Sequence, residues 1–177
     1  MITHSDNGPQ QFGLEIYLKT EVISMLFLGF SAGLPFPLVF ATLTAWLASV
    51  EIGIVEISMF AWVGIIYAIK FLWAPIVDKL SLPILSRLLG RRRAWMLSTQ
   101  FAVLLGLLMI SSINPLENLS LFAVFSVWIA FASATQDIAI DAYRIEIINN
   151  RFQGAMAAAY QLGYRAVSYT HLTLPTT

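Results

Sequence analysis

Two aspartates follow a long apolar stretch in the segment SATQDIAIDAYRIE, which runs from Ser133 to Glu146. A charged carboxylate at the centre of a membrane helix costs about 2.5 to 3.5 kcal/mol on insertion scales, so Asp137 needs a partner or a function. Lys70 lies in an earlier apolar stretch, about 12 Å from the end of its helix, and Asp137 lies about 10 Å from the same side. These matching depths allow Lys70 and Asp137 to pair between two helices.

Three more polar residues accompany this pair. Arg165 stands in a later apolar stretch and is expected to be buried there, and Gln136 can hydrogen-bond between helices. Asp141 is one helical turn beyond Asp137 and three residues before Arg144, so we expect it to be a structural acceptor for Arg144 or for the basic loop described below. Because intramembrane charges commonly mark transport pathways or proton relays, the candidates for transport and proton coupling are Asp137, Lys70, Arg165, Gln136 and Asp141. The alternative is that these residues form only structural ion pairs and interhelical hydrogen bonds.

Asp137 is the candidate proton carrier. Desolvation favours its neutral form, whereas an opposite charge on Lys70 or Arg165 favours the carboxylate. A carboxyl group held between these effects can bind and release a proton as a cavity opens to either side. The competing hypothesis is a permanent Lys70–Asp137 bridge with no proton role.

The composition indicates that these residues are held by membrane helices. The 177 residues are 58% hydrophobic and 11% charged, whereas about a quarter of a soluble domain is charged. About 20 apolar residues cross a bilayer, and four runs are long enough, at roughly 22–47, 57–77, 95–113 and 119–143. An incomplete fifth run covers 154–167. We expect an all-α polytopic membrane protein whose first four spans are continuous helices.

Basic residues are concentrated in alternate loops. The connection between the second and third spans carries Lys79, Arg87, Arg91, Arg92 and Arg93, whereas the charged residues of the loops after spans one and three are all acidic. Positively charged loops stay in the cytoplasm, so we expect a cytoplasmic N-terminus, with residues 1–21 as a cytoplasmic tail.

The first span carries the residues expected to control its shape. Gly29 and Gly33 form a small-xxx-small face for close helix approach, and Pro35 and Pro37 interrupt the helical hydrogen bonds. We expect a bend from Gly33 to Pro37 that faces the fourth span and lines a cavity. The alternative is a tight packing seam.

Several function classes lack support in the sequence. Cysteine is absent and the histidines are two, so neither a metal site nor a cofactor is predicted. The net charge of zero gives no general attraction to nucleic acid, and no P-loop is present. An intramembrane phosphotransferase would need more carboxylates than Asp137 and Asp141, so we expect no enzymatic activity.

Four motifs carry a resemblance to a known family. They are GFSAGLPFPL, FLWAPIVDKL followed by GRRRAWMLSTQ, SATQDIAIDAY, and QLGYR. In this order they resemble the AmpG-type muropeptide permeases of the major facilitator superfamily, and the acetyl-coenzyme A transporters share the loop and the TQDIAID run. The second motif places Asp78, Gly90, Arg91 and Arg92 among the residues expected to control conformation.

The resemblance implies a proton-driven permease of twelve or more spans in two six-span halves, with spans one and four lining the cavity. Such proteins lie in the bacterial inner membrane and import anhydro-muropeptides into the cytoplasm for cell-wall recycling. The expected partners are the lipid bilayer, a muropeptide-like substrate, protons and a missing C-terminal half, so this chain is the first four to five helices of an N-terminal half. The alternatives are an acetyl-coenzyme A-type transporter and a small non-transporting membrane subunit.

The last ten residues, SYTHLTLPTT at 168–177, do not continue the apolar pattern. They resemble a translated sequencing adapter, and we expect a non-native tail that does not pack against the spans. The alternative is a natural frameshifted or truncated product.

Overall fold

The computed structural model describes residues 14–60, 63–147 and 152–172, and these residues form helices without strands. Most of the predicted tail at 1–21 and the end of the predicted non-native segment, 173–177, lie outside the described residues. A 3₁₀ turn at Leu14–Leu18 comes first. Seven helices follow it: α1 (Thr20–Ser49), α2 (Ile54–Leu72), α3 (Ala74–Lys79), α4 (Leu85–Leu89), α5 (Arg91–Ser111), α6 (Leu119–Ile147) and α7 (Gln153–Leu172).

Four of these helices are long and apolar enough to cross a bilayer. They are α1, α2, α5 and α6, with 30, 19, 21 and 29 residues. About 20 residues of helix span the hydrocarbon, so each can cross once. The expected all-α architecture with four spans is confirmed. The less apolar α7 packs along the first half of α1.

The first span is one helix of 30 residues whose regular α-helical geometry is interrupted at its prolines, where the bend from Gly33 to Pro37 was expected. Regular α-helix ends at Gly33, a short turn follows at Pro35–Pro37, and a π-helical segment covers Leu38–Thr42 before α-helix resumes. Proline has no backbone N–H and its ring crowds the carbonyl four residues earlier, which explains the interruption. π-Helical segments of this kind occur frequently at functional sites.

The second span is also interrupted. Its last turn, Lys70–Leu72, is a 3₁₀ helix, and the chain restarts as α3 after Trp73. Pro75 lies in the first turn of α3, where its missing N–H costs little, and it cannot continue the ladder of α2. The break therefore begins at Lys70, one of the candidate transport residues.

The last helix extends further than the apolar pattern predicts. Its backbone stays helical past Val167 to Leu172, whereas the sequence predicted an end at Val167. The Ser168 hydroxyl donates to the Tyr164 carbonyl at 3.2 Å, within the same helix. Extending a helix that has already formed adds one backbone hydrogen bond for each residue fixed, which favours continuation past Val167.

Helix α6 is the centre of the bundle, and it passes through three successive layers. Its first half contributes Phe122 and Ile129 to an apolar cluster shared with α1, α2 and α5. Its last third contributes Ala139 and Ile140 to a second apolar cluster shared with α1, α5 and α7. Between these clusters lies a polar layer, formed by Ser31, Lys70, Gln100, Ser133, Thr135, Gln136 and Asp137.

Candidate functional site

The polar layer contains an ion pair between two spans. Lys70 Nζ lies 3.3 Å from Asp137 Oδ2, which joins the 3₁₀ turn of α2 to α6. The lysine side chain is 35% exposed and the aspartate side chain 14% exposed. A second contact fixes the same junction, since Trp73 Nε1 donates to Thr135 Oγ1 at 3.1 Å. The structure thus brings together the two residues whose depths match in the sequence.

Three tyrosine side chains, one on α2 and two on α7, lie near Asp137. Tyr67 on α2 and both Tyr160 and Tyr164 on α7 lie close enough to interact with its charge. Asp137 Oδ1 and Tyr67 Oη are buried; within the described residues, the Tyr160 hydroxyl is the group placed to donate to the Asp137 carboxylate, and Ser133 lies next to the Tyr67 hydroxyl. One oxygen of the Asp137 carboxylate therefore pairs with Lys70, and the other faces these polar side chains.

Gln136 belongs to a neighbouring amide–hydroxyl network. Ser31 on α1 accepts from Gln100 Nε2 at 3.0 Å and lies 3.5 Å from Gln136 Nε2. These residues and apolar neighbours line an open cavity of about 270 Å³ between α1, α5 and α6. Sequence analysis missed Gln100, although an amide inside an apolar run is a recognisable sign of interhelical hydrogen bonding.

Phe36, Phe40 and Tyr67 form an aromatic wall, of which Tyr67 lies close enough to Asp137 to interact with its charge. The ring centroids of Phe36 and Phe40 are 4.6 Å apart, and Phe36 meets Tyr67 edge-on at 5.7 Å. Tyr67 is three residues before Lys70, so both project from neighbouring positions on α2. The sequence gives no sign of this wall, because aromatic residues are common throughout membrane helices.

The two glycines of the first span lie against α7. A β-carbon on Gly29 would be 2.1 Å from the Tyr160 carbonyl oxygen, and one on Gly33 would be 2.9 Å from the Tyr164 carbonyl oxygen. A β-carbon on Gly163 of α7 would likewise be 2.1 Å from the Leu26 carbonyl oxygen. The segment Pro35–Pro37 contacts α6 and α7. The glycines therefore set the distance between α1 and α7, while the prolines adjoin the fourth span.

A charge cluster lies at one end of the bundle, which we call the basic end. Arg92 contacts Asp78 at 2.6 Å and Glu146 at 2.7 Å, and Arg91 lies 3.5 Å from Glu146. Gly90 precedes them with φ 82° and ψ 158°, a conformation essentially restricted to glycine. Gly90 thus turns the chain into α5 and places both arginines against α6.

Asp141 pairs with Arg144 at 3.4 Å, which is one of the two acceptor roles expected for it, whereas the other role, contact with the arginines that follow the second span, falls to Glu146. Five residues of α-helix turn through about 140°, so Glu146 and Asp141 point in different directions. Arg165 is exposed, not buried, because α7 turns Gly163 and Val167 inward. It does not join the Lys70–Asp137 pair.

Comparison with known proteins identifies relatives over most of the chain. The model of the family described as acetyl-coenzyme A transporter 1 matches residues 21–172. The anhydromuropeptide permease of Escherichia coli (strain K12) is 38% identical over 152 residues, which is 86% of this chain and 30% of that protein. Putative transporter AmpG 4 of Rickettsia conorii is 33% identical over 151 residues, or 85% of this chain and 36% of that protein. The chain thus spans about a third of the length of these relatives.

Proposed function

The chain belongs to the acetyl-coenzyme A transporter 1 family, and from that premise we propose that it is part of a proton-coupled permease for anhydromuropeptide-like solutes. Its four membrane-length helices and its relatives make it a multi-pass membrane protein of a transporter family. Since those relatives are about three times longer, we propose that the complete permease includes further spans, among them a second half that closes the substrate pathway.

The Lys70–Asp137 pair is the observation that carries the proposal of proton coupling. A carboxylate and an ammonium group at this depth are costly in a bilayer and typically mark proton or substrate pathways. Burial of Asp137 opposes its charged form, whereas Lys70 at 3.3 Å supports it. Moving Lys70 or admitting water changes that balance, which supports a carrier that binds a proton in one state and releases it in another.

The substrate and its direction are inferred from the relatives and from charge. The E. coli and Rickettsia relatives carry the names permease and transporter, and the first is named for anhydromuropeptides. The basic end carries Arg91 and Arg92 at the start of α5, and positively charged segments that flank spans favour the cytoplasmic side. We therefore propose import across a bacterial inner membrane, with the N-terminus in the cytoplasm and no catalytic residue or cofactor involved.

An acetyl-coenzyme A-type transporter is the second candidate, favoured by the description of the matching family. Uptake of labelled anhydromuropeptide and of labelled acetyl-coenzyme A into proteoliposomes separates the two. The third alternative, a small membrane subunit that does not transport, predicts that neither compound crosses.

The experiment that tests proton coupling compares Asp137→Asn with wild type in the complete permease. We expect the variant to fold and to exchange labelled for unlabelled substrate, but to lose accumulation against a gradient. Asp141→Asn is the matched control, since it makes the same chemical change one turn away on a side chain that is 52% exposed. If Asp137→Asn still concentrates substrate, then Asp137 does not carry the proton.

A permanent structural bridge gives a different result. Removing one partner of a buried ion pair typically costs about 3 to 5 kcal/mol because the other charge is left uncompensated. Asp137→Asn would then chiefly lower the amount of folded protein. The double variant Lys70→Met/Asp137→Asn, which leaves no unpaired charge, would restore it.

A further inference from the structure

The two partners of the ion pair are unequally accessible. The Lys70 side chain is 35% exposed, whereas the Asp137 side chain is 14% exposed. The cation is therefore the member of the pair that an incoming ligand can reach, and Asp137 lies behind it against α6.

The aromatic wall reaches the neighbourhood of Lys70 through Tyr67, which stands three residues before it on α2. Phe36 is 41% exposed, and its ring packs against both Phe40 and Tyr67. Gly64 makes room for this arrangement, since a β-carbon there would already touch the Phe40 ring at 3.4 Å. An accessible ammonium group next to a partly exposed aromatic surface suits an anion that carries a ring, because the ring can stack while the anion pairs with the cation.

We infer that Lys70 and the aromatic wall form a binding subsite for an organic anion with a ring-bearing portion, and that this anion displaces Asp137 from Lys70. The inference rests on the proposed function, since it concerns the same ion pair. The ligand class is a carboxylate or phosphate attached to a sugar or a heteroaromatic ring. Both candidate substrates belong to this class.

Displacement links substrate binding to proton binding. Once the anion takes Lys70, Asp137 is a buried carboxylate without its counter-ion, which is strongly disfavoured in a protein interior. A proton from water that enters with the substrate then binds the Asp137 carboxylate, and no bond of the substrate breaks. The net charge of the site stays at zero, because one anion and one proton arrive together.

The other groups around Asp137 do not replace Lys70. The titratable and charged groups that face it are Lys70 and Tyr67 on α2, Tyr160 and Tyr164 on α7, and Asp141 on its own helix. Tyrosine is neutral near pH 7, and the Asp141 carboxyl is an acid already paired with Arg144, so neither can supply a positive charge to Asp137. Lys70 is thus the cation of this group, and its capture by the substrate changes the charge balance at Asp137.

The test measures ligand and proton together, with the complete permease purified in detergent at low buffer strength. The probe is the anhydromuropeptide disaccharide with its free carboxylate, compared with the same disaccharide as its primary amide. In wild type we expect about one proton taken up per carboxylate ligand bound and at least tenfold weaker binding of the amide. Lys70→Met should reduce carboxylate binding to the level of the amide, whereas Lys70→Arg should retain the preference.

Asp137→Asn should bind the carboxylate probe without taking up a proton, and Glu117→Gln, which changes an exposed carboxylate in the loop before α6, should behave as wild type. If a single variant does not fold, Lys70→Met/Asp137→Asn keeps the site neutral and should lose both proton uptake and the preference for the carboxylate. Equal binding of carboxylate and amide by wild type, or proton uptake that persists in Asp137→Asn or in the double variant, overturns the inference.

A wrong choice of substrate can be distinguished from a wrong displacement mechanism. If wild type binds acetyl-coenzyme A and not the disaccharide, the proposed substrate is wrong, and the same proton measurement with acetyl-coenzyme A then tests the inference. Proton uptake on its binding that is lost in Asp137→Asn supports displacement, and binding without proton uptake refutes it. If wild type binds neither anion, both the proposed substrate and the subsite are refuted.

Discussion

Replacement of Gly29 by alanine tests how α1 and α7 are held together. A β-carbon at this position would lie 2.1 Å from the Tyr160 carbonyl oxygen and 2.8 Å from its carbonyl carbon. Ordinary contact begins near 3.4 Å, so the helices would have to separate by about 1.3 Å at this point. The obstructing atoms are backbone, which cannot swing aside as the end of a side chain can.

The expected cost follows from this geometry. Overpacking typically costs about 1 to 3 kcal/mol, and a rigid backbone obstacle places Gly29→Ala at the upper end of that range. Alanine in place of glycine in a helix recovers about 1 kcal/mol. We expect a net loss of about 2 kcal/mol, and a midpoint of thermal unfolding lowered by about 4 to 8 °C. Transport should fall as well, because the same contact places Tyr160 next to Asp137.

Two other glycines provide matched controls in the same thermal assay. Gly154→Ala in α7 meets nothing within 4 Å and should leave the midpoint unchanged or raise it. Gly106→Ala would approach the Ile129 side chain at 2.5 Å, and a side chain can move, so its effect should be intermediate. Equal stability of Gly29→Ala and Gly154→Ala would refute the backbone contact between α1 and α7.

Three further predictions concern the basic end and the topology. Gly90→Ala should lower stability by about 1 to 3 kcal/mol, because φ 82° strains alanine although nothing lies within 4 Å; an unchanged midpoint would argue against this backbone conformation. Glu146→Gln should lower the thermal midpoint more than Asp141→Asn does, because Glu146 contacts two arginines and Asp141 one; the reverse order would contradict the assigned pairing. In cysteine-free protein, Ser49→Cys should be labelled from outside and the exposed Leu88→Cys from inside; the opposite pattern would overturn the orientation.

The spans and the central pair could be predicted from the sequence because they depend on length and depth. Apolar runs of about 20 residues predict spans directly, and a rise of about 1.5 Å per residue places Lys70 and Asp137 at one level. The interruption of α2 also has its cause in the sequence, at Pro75. Both proline-containing spans are interrupted, but a bend was predicted only for the first span.

Rotation of each helix about its axis could not be predicted in the same way. Arg165 was expected inside because it stands in an apolar run, but the close contact of Gly163 with α1 turns Arg165 outward. Likewise the choice of Glu146 over Asp141 as acceptor depends on how α6 presents its last turns to α5. Both outcomes arise from tertiary packing, which hydropathy and spacing do not determine.

Proton-driven accumulation tests the central claim most directly. The complete permease, reconstituted in liposomes that are alkaline inside, should concentrate labelled anhydromuropeptide above the external level, and a protonophore should abolish this excess. Liposomes without a pH gradient should only equilibrate the substrate. Equal uptake with and without the gradient, or uptake unaffected by the protonophore, would contradict a permease whose Lys70–Asp137 pair couples substrate to protons.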